Sequence, residues 1–289
     1  MAAALFGLAV TSAAAQGFRI TKTDGTQLYL KKSEVESIEL YDAGKEPNRT
    51  FTVTGNGKTV TFNMKFVQAG RFMMGSTSTS DEKSEKPEHV VILTKDYYIG
   101  ETEVTQALWY AVMGQSPTSA GEQWSSTDGL GDNYPAYRLS WDACQEFVTQ
   151  LNALTGATFR LPTEAEWEFA AKGGNKSHDY TYAGSNTLGD VAWYEDNCDD
   201  KIHEVATKAP NELGVYDMTG NVRSWCQDWY GDYSSDVQTD PTGPDSGSTR
   251  VIRGASFRES EYYCRIAYRF GYPAYYNYRT IGLRLVLVP

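Results

Sequence analysis

The stretch RLPTEAEWEFAAKGG, residues 160–174, carries the strongest local structure signal in the chain. Pro162 and Thr163 introduce a run of good helix formers, and paired glycines end it. Trp167 precedes two alanines by three and four residues, a spacing that places the three side chains on one face of a helix. We therefore predict a helix after Thr163, with Trp167 as a core anchor.

Outward from this segment, hydrophobic periodicity predicts two more helices, Thr105–Met113 and Trp141–Leu154. Two alternating runs flank a Gly-Asn-Gly turn within residues 51–67, which predicts a β-hairpin. Most of the remaining sequence is loop, rich in Gly, Asn, Asp and Tyr, and such loops need turns and buried polar contacts to hold them. We predict one loop-rich α+β domain over residues 49–289.

The first 48 residues have a different character. Residues 1–15 join an apolar run to three alanines, as in a secretory signal peptide with its cleavage site. Residues 16–48 predict a small β-rich segment and a linker, with a hairpin around Asp24-Gly25 and a third strand at 35–41. We expect export to the periplasm, cell surface or extracellular space. The β-rich segment is a candidate docking element for a pilus or surface-assembly partner.

Composition narrows the class of partner. The 289 residues carry a formal net charge of −11, so neither nucleic acid nor an anionic membrane surface is an expected partner. No apolar stretch reaches the roughly 18 residues that span a bilayer, and we expect no membrane insertion.

Four cysteines are too few to form a disulfide scaffold in a chain of this length. Cys144 lies in a helical pattern and is predicted to be a small buried residue. Cys198, Cys226 and Cys264 are the better candidates for pairing in an oxidising compartment, and sequence alone does not choose among the connectivities.

The C-terminal stretch from Arg253, RGASFRESEYYCRIAYRFGYPAYYNYRTIGLRL, combines fixed-looking motifs with an aromatic filling. Seven of the chain's 20 tyrosines lie between Tyr262 and Thr280, a span without Lys, Glu, Asp, Gln, Met or Trp. Tyrosine with Ser, Gly and Asn is the composition of an antibody-like binding surface. The alternative is an aromatic-rich sheet in the core, but Gly271 and Pro273 interrupt any strand period.

The filling also has a genetic signature. Tyr, Phe, Ser, Gly, Ala and Thr can all be reached from an Asn codon by changing adenines alone, whereas Lys, Glu, Gln, Met and Trp cannot. This is the pattern expected of a diversity-generating retroelement, which copies a template into a variable repeat with errors at adenine. Glu259 and Glu261 break the rule, so the variable region, placed at about 258–281, either starts near Tyr262 or skips these two.

Taken in order, a series of motifs resembles the formylglycine-generating-enzyme (sulfatase-modifying-factor) family. The matching motifs are GRFMMGS (70–76), EKPEHVV (85–91), EVT (103–105), SW (140–141), RLPTEAEWEFAAKGG (160–174), PNELGVYDMTGNV (210–222), RVIRGASF (250–257) and IGLRLV (281–286). The resemblance implies a C-type-lectin-like fold, with a few helices and long loops on a hydrogen-bonded frame. The C-terminal sequence from Arg253 resembles that of the variable proteins of diversity-generating retroelements.

Family enzymes oxidise a substrate cysteine with two cysteines that hold copper. The second of these maps to Cys264, and the first maps near Glu259, where the chain has no cysteine. One thiolate cannot make the two-thiolate site that Cu(I) favours, so we expect no such enzyme activity. An iron-dependent branch uses a histidine cluster, but His89, His178 and His203 lack the spacing of metal ligands.

Calcium is the other cofactor that the resemblance raises. The family's site maps to Asp217, Gly220, Val222 and Ser224, and the last of these replaces the usual glutamate. Oxygen ligands suit Ca²⁺, yet the lost carboxylate favours a structural role for Asp217. We expect no cofactor, with calcium as a weak candidate.

The residues therefore predict a secreted or surface-displayed protein that binds a protein or glycan ligand through a C-terminal face. The predicted face comprises Ser260, Tyr262, Tyr263, Tyr268, Phe270, Gly271, Tyr272, Tyr275, Tyr276, Asn277, Tyr278 and Thr280. The alternatives are a subunit of a pilus or secretion machine, including a tip adhesin, and a sulfatase-modifying oxidase.

Overall fold

A computed structural model describes residues 17–21, 27–31, 48–117 and 123–289 of the chain. Contacts divide the chain into two compact units, Met1–Glu46 and Pro47–Pro289.

In the first unit, strands β1 (Gly17–Thr21) and β2 (Gln27–Lys31) pair antiparallel, which confirms the predicted hairpin strands. The predicted signal peptide at 1–15, the Asp24-Gly25 turn and the third strand at 35–41 lie outside the described residues.

The second unit contains the remaining elements of the described chain. Its helices are α1 (Gln106–Met113), α2 (Trp141–Thr155), α3 (Glu164–Ala171) and α4 (Leu188–Val191). Its strands are β3 (Asn48–Gly55), β4 (Lys58–Val67), β5 (Gly70–Met74), β6 (His89–Leu93), β7 (Tyr97–Gly100), β8 (Phe159–Arg160), β9 (Arg223–Trp229), β10 (Gln238–Thr239), β11 (Arg250–Arg253), β12 (Arg269–Tyr272), β13 (Ile281–Gly282) and β14 (Val286–Leu287).

Each predicted helix begins at a side-chain cap. Thr105 accepts a hydrogen bond from the Leu108 N–H at the start of α1, and Ser140 caps α2 in the same way. In α3, Thr163 and Glu166 form a reciprocal capping box, which satisfies backbone donors that a helix leaves free at its first turn. The three predicted helices are confirmed. Each cap lies next to the residues that it caps, so the start of each helix is determined locally.

The strands form three sheets in this unit. The largest has the order β3-β4-β7-β14-β8, and β10-β6-β5 forms a smaller one. The predicted hairpin of β3 and β4 turns on Asn56 and Gly57, both with positive φ, as a two-residue hairpin turn requires. The third sheet, β12-β11-β9-β13, carries the C-terminal stretch.

Two apolar clusters make up most of the core. One packs α1 and α2 against the largest sheet, where Trp109 stacks on Phe147 with ring centroids 5.0 Å apart. The other surrounds α3, and Trp167 is 1% exposed within it. Its burial confirms Trp167 as a core anchor.

The four cysteines are free and buried, so the expected pairing of Cys198, Cys226 and Cys264 is wrong. These three side chains lie in different core clusters, and the Cys198 thiol donates to the Phe257 carbonyl at 3.0 Å. Cys144 is fully buried, as predicted. Among the helices of the described residues, none has the length and apolarity needed to cross a membrane.

Candidate functional site

The four-stranded sheet is the platform of the candidate site. β12 pairs antiparallel with β11, β11 pairs antiparallel with β9, and β13 pairs parallel with β9. After β11 the chain leaves the sheet, forms a short 3-10 helix at Glu261–Cys264, returns as β12, and crosses residues 273–280 to reach β13. The predicted face residues therefore lie on two loops and one strand at the rim of a single sheet.

Arginines fix this segment to the rest of the domain. Arg269 donates from Nε and Nη2 to the two carboxylate oxygens of Glu164, at 2.6 and 2.7 Å. Arg265 makes a similar fork to Glu85, at 2.7 and 2.9 Å. Both carboxylates are buried, and such two-pronged pairs set position as well as charge.

Two further arginines complete the frame. Arg279 pairs with Asp128, and Arg253 pairs with Glu168 of α3. Arg253 also donates to the carbonyls of Ala267 and Tyr268, at 3.0 and 2.9 Å, so it holds the backbone of the segment itself. The arginine side chains of this frame point inward.

Electrostatics support the frame. Burial acts to raise the pKa of Glu164, but the charges of Arg269 and Arg253 hold it below its ordinary value. Glu164 is therefore ionised and bound at neutral pH. The helix identified first in the sequence supplies two of the carboxylates that hold the C-terminal stretch, Glu164 and Glu168.

The predicted face residues point the other way, and none of the twelve is buried. The exposed ones are Tyr275 (71%), Tyr278 (53%), Phe270 (41%), Tyr262 (38%) and Tyr263 (38%). The partly exposed ones are Ser260, Tyr268, Gly271, Tyr272, Tyr276, Asn277 and Thr280. Within this stretch, aromatic side chains are thus presented to solvent while arginines face the interior.

The aromatic rings of the face form two contacting groups, in edge-to-face, tilted and stacked arrangements. In the first, Tyr263 lies 5.2 Å from Tyr262 and 5.1 Å from Tyr268, between ring centroids. Burial raises the pKa of Tyr268 to about 12, so its hydroxyl stays protonated. The second group joins these rings: Phe270, Tyr272, Tyr275, Tyr276 and Tyr278. Ring pairs of this kind hold side chains in place without a buried core.

Two rings of the second group serve as support. Tyr272 and Tyr276 stack with an interplanar angle of 13° and pack against the α1 and α2 core cluster. The Tyr272 hydroxyl also lies 3.5 Å from Nη1 of the buried Arg223. These two tyrosines connect the face to the core, whereas Tyr275 and Tyr278 stand free of it.

Gly271 contributes backbone rather than a side chain to the face, and its backbone packs closely against neighbouring side chains. A Cβ at this position would lie 2.7 Å from Thr249 Oγ1 and 2.8 Å from Tyr230 Cγ. A side chain here requires one of those neighbours to move, although Gly271 stands among the residues predicted to vary.

Sequence reasoning missed a second segment at the edge of the face. The Tyr262 hydroxyl lies 3.1 Å from the Ser80 carbonyl and 3.2 Å from Glu82 Oε1. Residues 76–86 therefore border the first aromatic group. No local pattern indicates this contact, because Glu85 of EKPEHVV is the buried partner of Arg265, 180 residues away.

Glu259 lies near the position that the resemblance gives to the enzymes' first cysteine. Its carboxylate accepts from Arg223 Nη2 at 2.6 Å and from the Ser256 hydroxyl. The buried Cys264 Sγ is 4.0 Å from the Glu259 carbonyl, and burial raises the pKa of this thiol. In the described chain no second cysteine shares the Cys264 cluster, so these residues do not fit a two-thiolate copper site.

The calcium candidates are similarly short of donors. Asp217 is buried, and its Oδ2 accepts from the Ala206 N–H at 2.7 Å. Burial raises the pKa of Asp217 to about 6, which weakens it as an anionic ligand. Gly220 and Val222 could offer carbonyl oxygens only, and Ser224 supplies no carboxylate. This donor set does not fit the calcium pattern.

The histidines have structural contacts. His89 Nδ1 lies 3.0 Å from the Pro87 carbonyl, and His203 stacks on Trp193 with ring centroids 3.7 Å apart. His178 is exposed. Over the described ranges, no three or more His, Cys, Asp or Glu side chains form a group that could hold a metal ion.

A cleft of about 490 Å³ lies beside the N-terminus of α3, and sequence reasoning did not foresee it. Its polar lining includes Glu164, Asp228 and Arg269. Asp228 accepts from the Glu164 N–H at 3.0 Å, and burial raises its pKa to about 8. Since these side chains hold α3 and β12 together, we assign them to the frame of the face.

The mixed fold, with curled sheets, few helices and long loops, is that of a C-type-lectin-like domain. A model of the sulfatase-modifying factor enzyme 1-like domain matches residues 51–288, and the chain belongs to this family. The predicted family and fold are confirmed.

Similar proteins differ in what their names describe. The solved structure of Treponema denticola variable protein 1 superposes with a TM-score of 0.73 at 32% identity, covering 85% of this chain and 100% of that one. This match confirms the predicted resemblance to variable proteins.

The chaperone protein LppX of Paenibacillus barcinonensis is 29% identical over 285 residues, 81% of this chain and 92% of that protein. The formylglycine-generating enzyme of Thermomonospora curvata is 32% identical over 184 residues, 56% of this chain and 57% of the enzyme. The match thus spans little more than half of that enzyme.

Proposed function

We propose that this chain is an exported ligand-binding protein, the variable protein of a diversity-generating retroelement. Its ligand, a protein or a glycan, binds the C-terminal face. The observation that carries the proposal is that residues 258–281 separate the side chains that fix the backbone from those that are exposed. Arginines fix the backbone through buried carboxylates, and aromatic side chains stand outside it. Rigid aromatic anchors dominate the energetics of many interfaces.

A role as a sulfatase-modifying oxidase has less support. Among the described residues no second thiol shares the Cys264 cluster, and the nearby Glu259 forms an ion pair with Arg223. Incubation with Cu(I) and a cysteine-bearing sulfatase peptide should leave the peptide unoxidised. Aldehyde formation above the uncatalysed rate would restore the enzyme hypothesis.

Genomic sequence tests the retroelement part of the proposal. We expect a near-identical template repeat with adenines at the codons for the exposed Tyr and Phe residues, beside a reverse transcriptase gene. A neighbourhood without both would contradict this part and leave the binding function to be tested separately.

Paired variants test the binding part. Tyr275→Ser combined with Tyr278→Ser should abolish binding to ligands found on glycan and protein arrays, because both rings are exposed on the face. Tyr110→Ser is the matched control, since Tyr110 is an exposed tyrosine on α1. Equal binding by the double variant and the control would contradict the face as the binding site.

A subunit of a pilus or secretion machine is the second candidate. It is supported by the relative named as a chaperone and by the paired strands β1 and β2 outside the family domain. A variant in which a foreign export signal replaces residues 1–46 distinguishes the assembly role from the ligand-binding role. Surface assembly should be lost only if the first unit docks a partner, whereas ligand binding by the face should persist.

A further inference from the structure

We infer that the ligand of the face is a protein segment rich in lysine and arginine. The inference rests on the proposed binding function and names its partner class. It follows from three observations: the bound state of the arginines, the carboxylates at the border of the face, and the exposure of the rings.

The face offers no free positive charge from its own arginines. Arg265, Arg269 and Arg279 each pair with a carboxylate, and their side chains are at most 19% exposed. Arg258 is more exposed, but it pairs with Asp200. An anionic partner would therefore meet no unpaired arginine in this segment of the described chain.

Carboxylates remain at the border. Glu82 is exposed and 3.2 Å from the Tyr262 hydroxyl, and Glu261 is exposed and accepts from the Tyr182 hydroxyl at 2.8 Å. Within the described ranges neither carboxylate forms an ion pair. The chain as a whole carries −11, which favours a cationic over an anionic partner at long range.

The rings add a second attraction for cations. One face of Tyr262 already takes the Arg265 guanidinium, whose carbon lies 4.4 Å from the ring centroid. Tyr275 and Tyr278 are the most exposed rings of the face and present similar surfaces to a partner. A cation over an exposed ring strengthens binding by about two- to fivefold. A basic protein segment satisfies both the rings and the carboxylates, whereas a neutral glycan would satisfy only the rings.

The test uses the full chain and a phage-displayed random peptide library. We expect clones enriched in Lys and Arg over the input library. Their binding should disappear with Tyr275→Ser/Tyr278→Ser and should weaken as salt rises, because salt screens exposed charges. Glu82→Gln/Glu261→Gln should weaken binding about two- to fivefold per carboxylate. Glu146→Gln, which removes one carboxylate from α2, is the control for the loss of each single carboxylate.

Each other outcome is decisive. Peptides that need the tyrosines but carry no excess of basic residues, or that ignore Glu82→Gln/Glu261→Gln, contradict the inference and leave the proposed function intact. Peptides that bind the Tyr275→Ser/Tyr278→Ser variant as well as wild type contradict the proposed function itself. A glycan array that gives tyrosine-dependent binding, with no peptide enriched, contradicts the inference and supports a glycan ligand.

Discussion

Two segments of this domain both combine charged and aromatic residues, but they place the aromatic residues differently with respect to solvent. In residues 160–174, every residue of α3 is buried, and its glutamates bind arginines that come from far along the chain. In residues 259–281, the arginines pair with carboxylates and are at most 19% exposed, whereas five aromatic rings are exposed. The first segment thus holds part of the second through buried ion pairs, and the exposed rings take no part in those pairs. The following changes test how complete that separation is.

The largest effect is expected in the first segment. Trp167→Ala should lower the free energy of unfolding by about 3–5 kcal/mol, because the indole is buried in the α3 cluster and its removal leaves a cavity. Urea denaturation of the purified protein would measure this. An unchanged unfolding midpoint would refute the anchoring role.

Breaking the link between the segments should cost almost as much. Arg269→Met removes the forked partner of the buried Glu164 carboxylate and leaves it only the longer contact with Arg253 Nε, at 3.7 Å. Breaking a buried pair of this kind typically costs about 3–5 kcal/mol. Arg258→Met is the control, since that arginine is exposed and its pair with Asp200 contributes little. Equal melting temperatures for the two variants would show that the arginine frame does not hold the segment.

Gly271→Ala tests the face backbone. The added Cβ meets Thr249 and Tyr230, and we expect a loss of about 1–3 kcal/mol from overpacking. Gly189→Ala, in a helix where the Cβ meets nothing within 4 Å, should be neutral or slightly stabilising. Thermal melts of both variants give the comparison, and a neutral Gly271→Ala would mean that the site accepts side chains.

The smallest effect is expected from the freest rings. Tyr275→Ser/Tyr278→Ser should cost under about 0.5 kcal/mol for each ring, because surface substitutions rarely cost more. Tyr272→Ser/Tyr276→Ser should cost more, about 1–2 kcal/mol per ring, since both pack against the core. If the first pair destabilised the protein as much as the second, Tyr275 and Tyr278 would also contribute to folding, and the face would not separate rings exposed to a ligand from rings packed on the core.

The sequence predicts those features of the structure that depend on residues close together along the chain. Hydrophobic periodicity and helix-forming residues predict the helices, and the caps that the structure shows at Thr105, Ser140 and Thr163 each act within one turn. Composition predicts which stretch is exposed, since tyrosine combined with Ser, Gly and Asn is typical of a binding surface. Both kinds of signal can be read without knowing the tertiary contacts.

The partners of the arginines could not be predicted in this way. Arg269 finds Glu164 across 105 residues and Arg265 finds Glu85 across 180, and no local pattern encodes such pairs. The same limit explains why Tyr272 and Tyr276 look like their exposed neighbours in the sequence. It also explains the wrong cysteine pairing, because proximity of thiols depends on which core cluster each residue joins.

The inward arginine frame makes this domain a natural scaffold for combinatorial libraries. Randomising Tyr262, Tyr263, Phe270, Tyr275 and Tyr278 would change the chemistry of the surface while leaving the buried ion pairs untouched. Because the frame rather than the rings sets the backbone, library members would share one folding energy. Selection could then act on affinity alone, and few clones would be lost to misfolding.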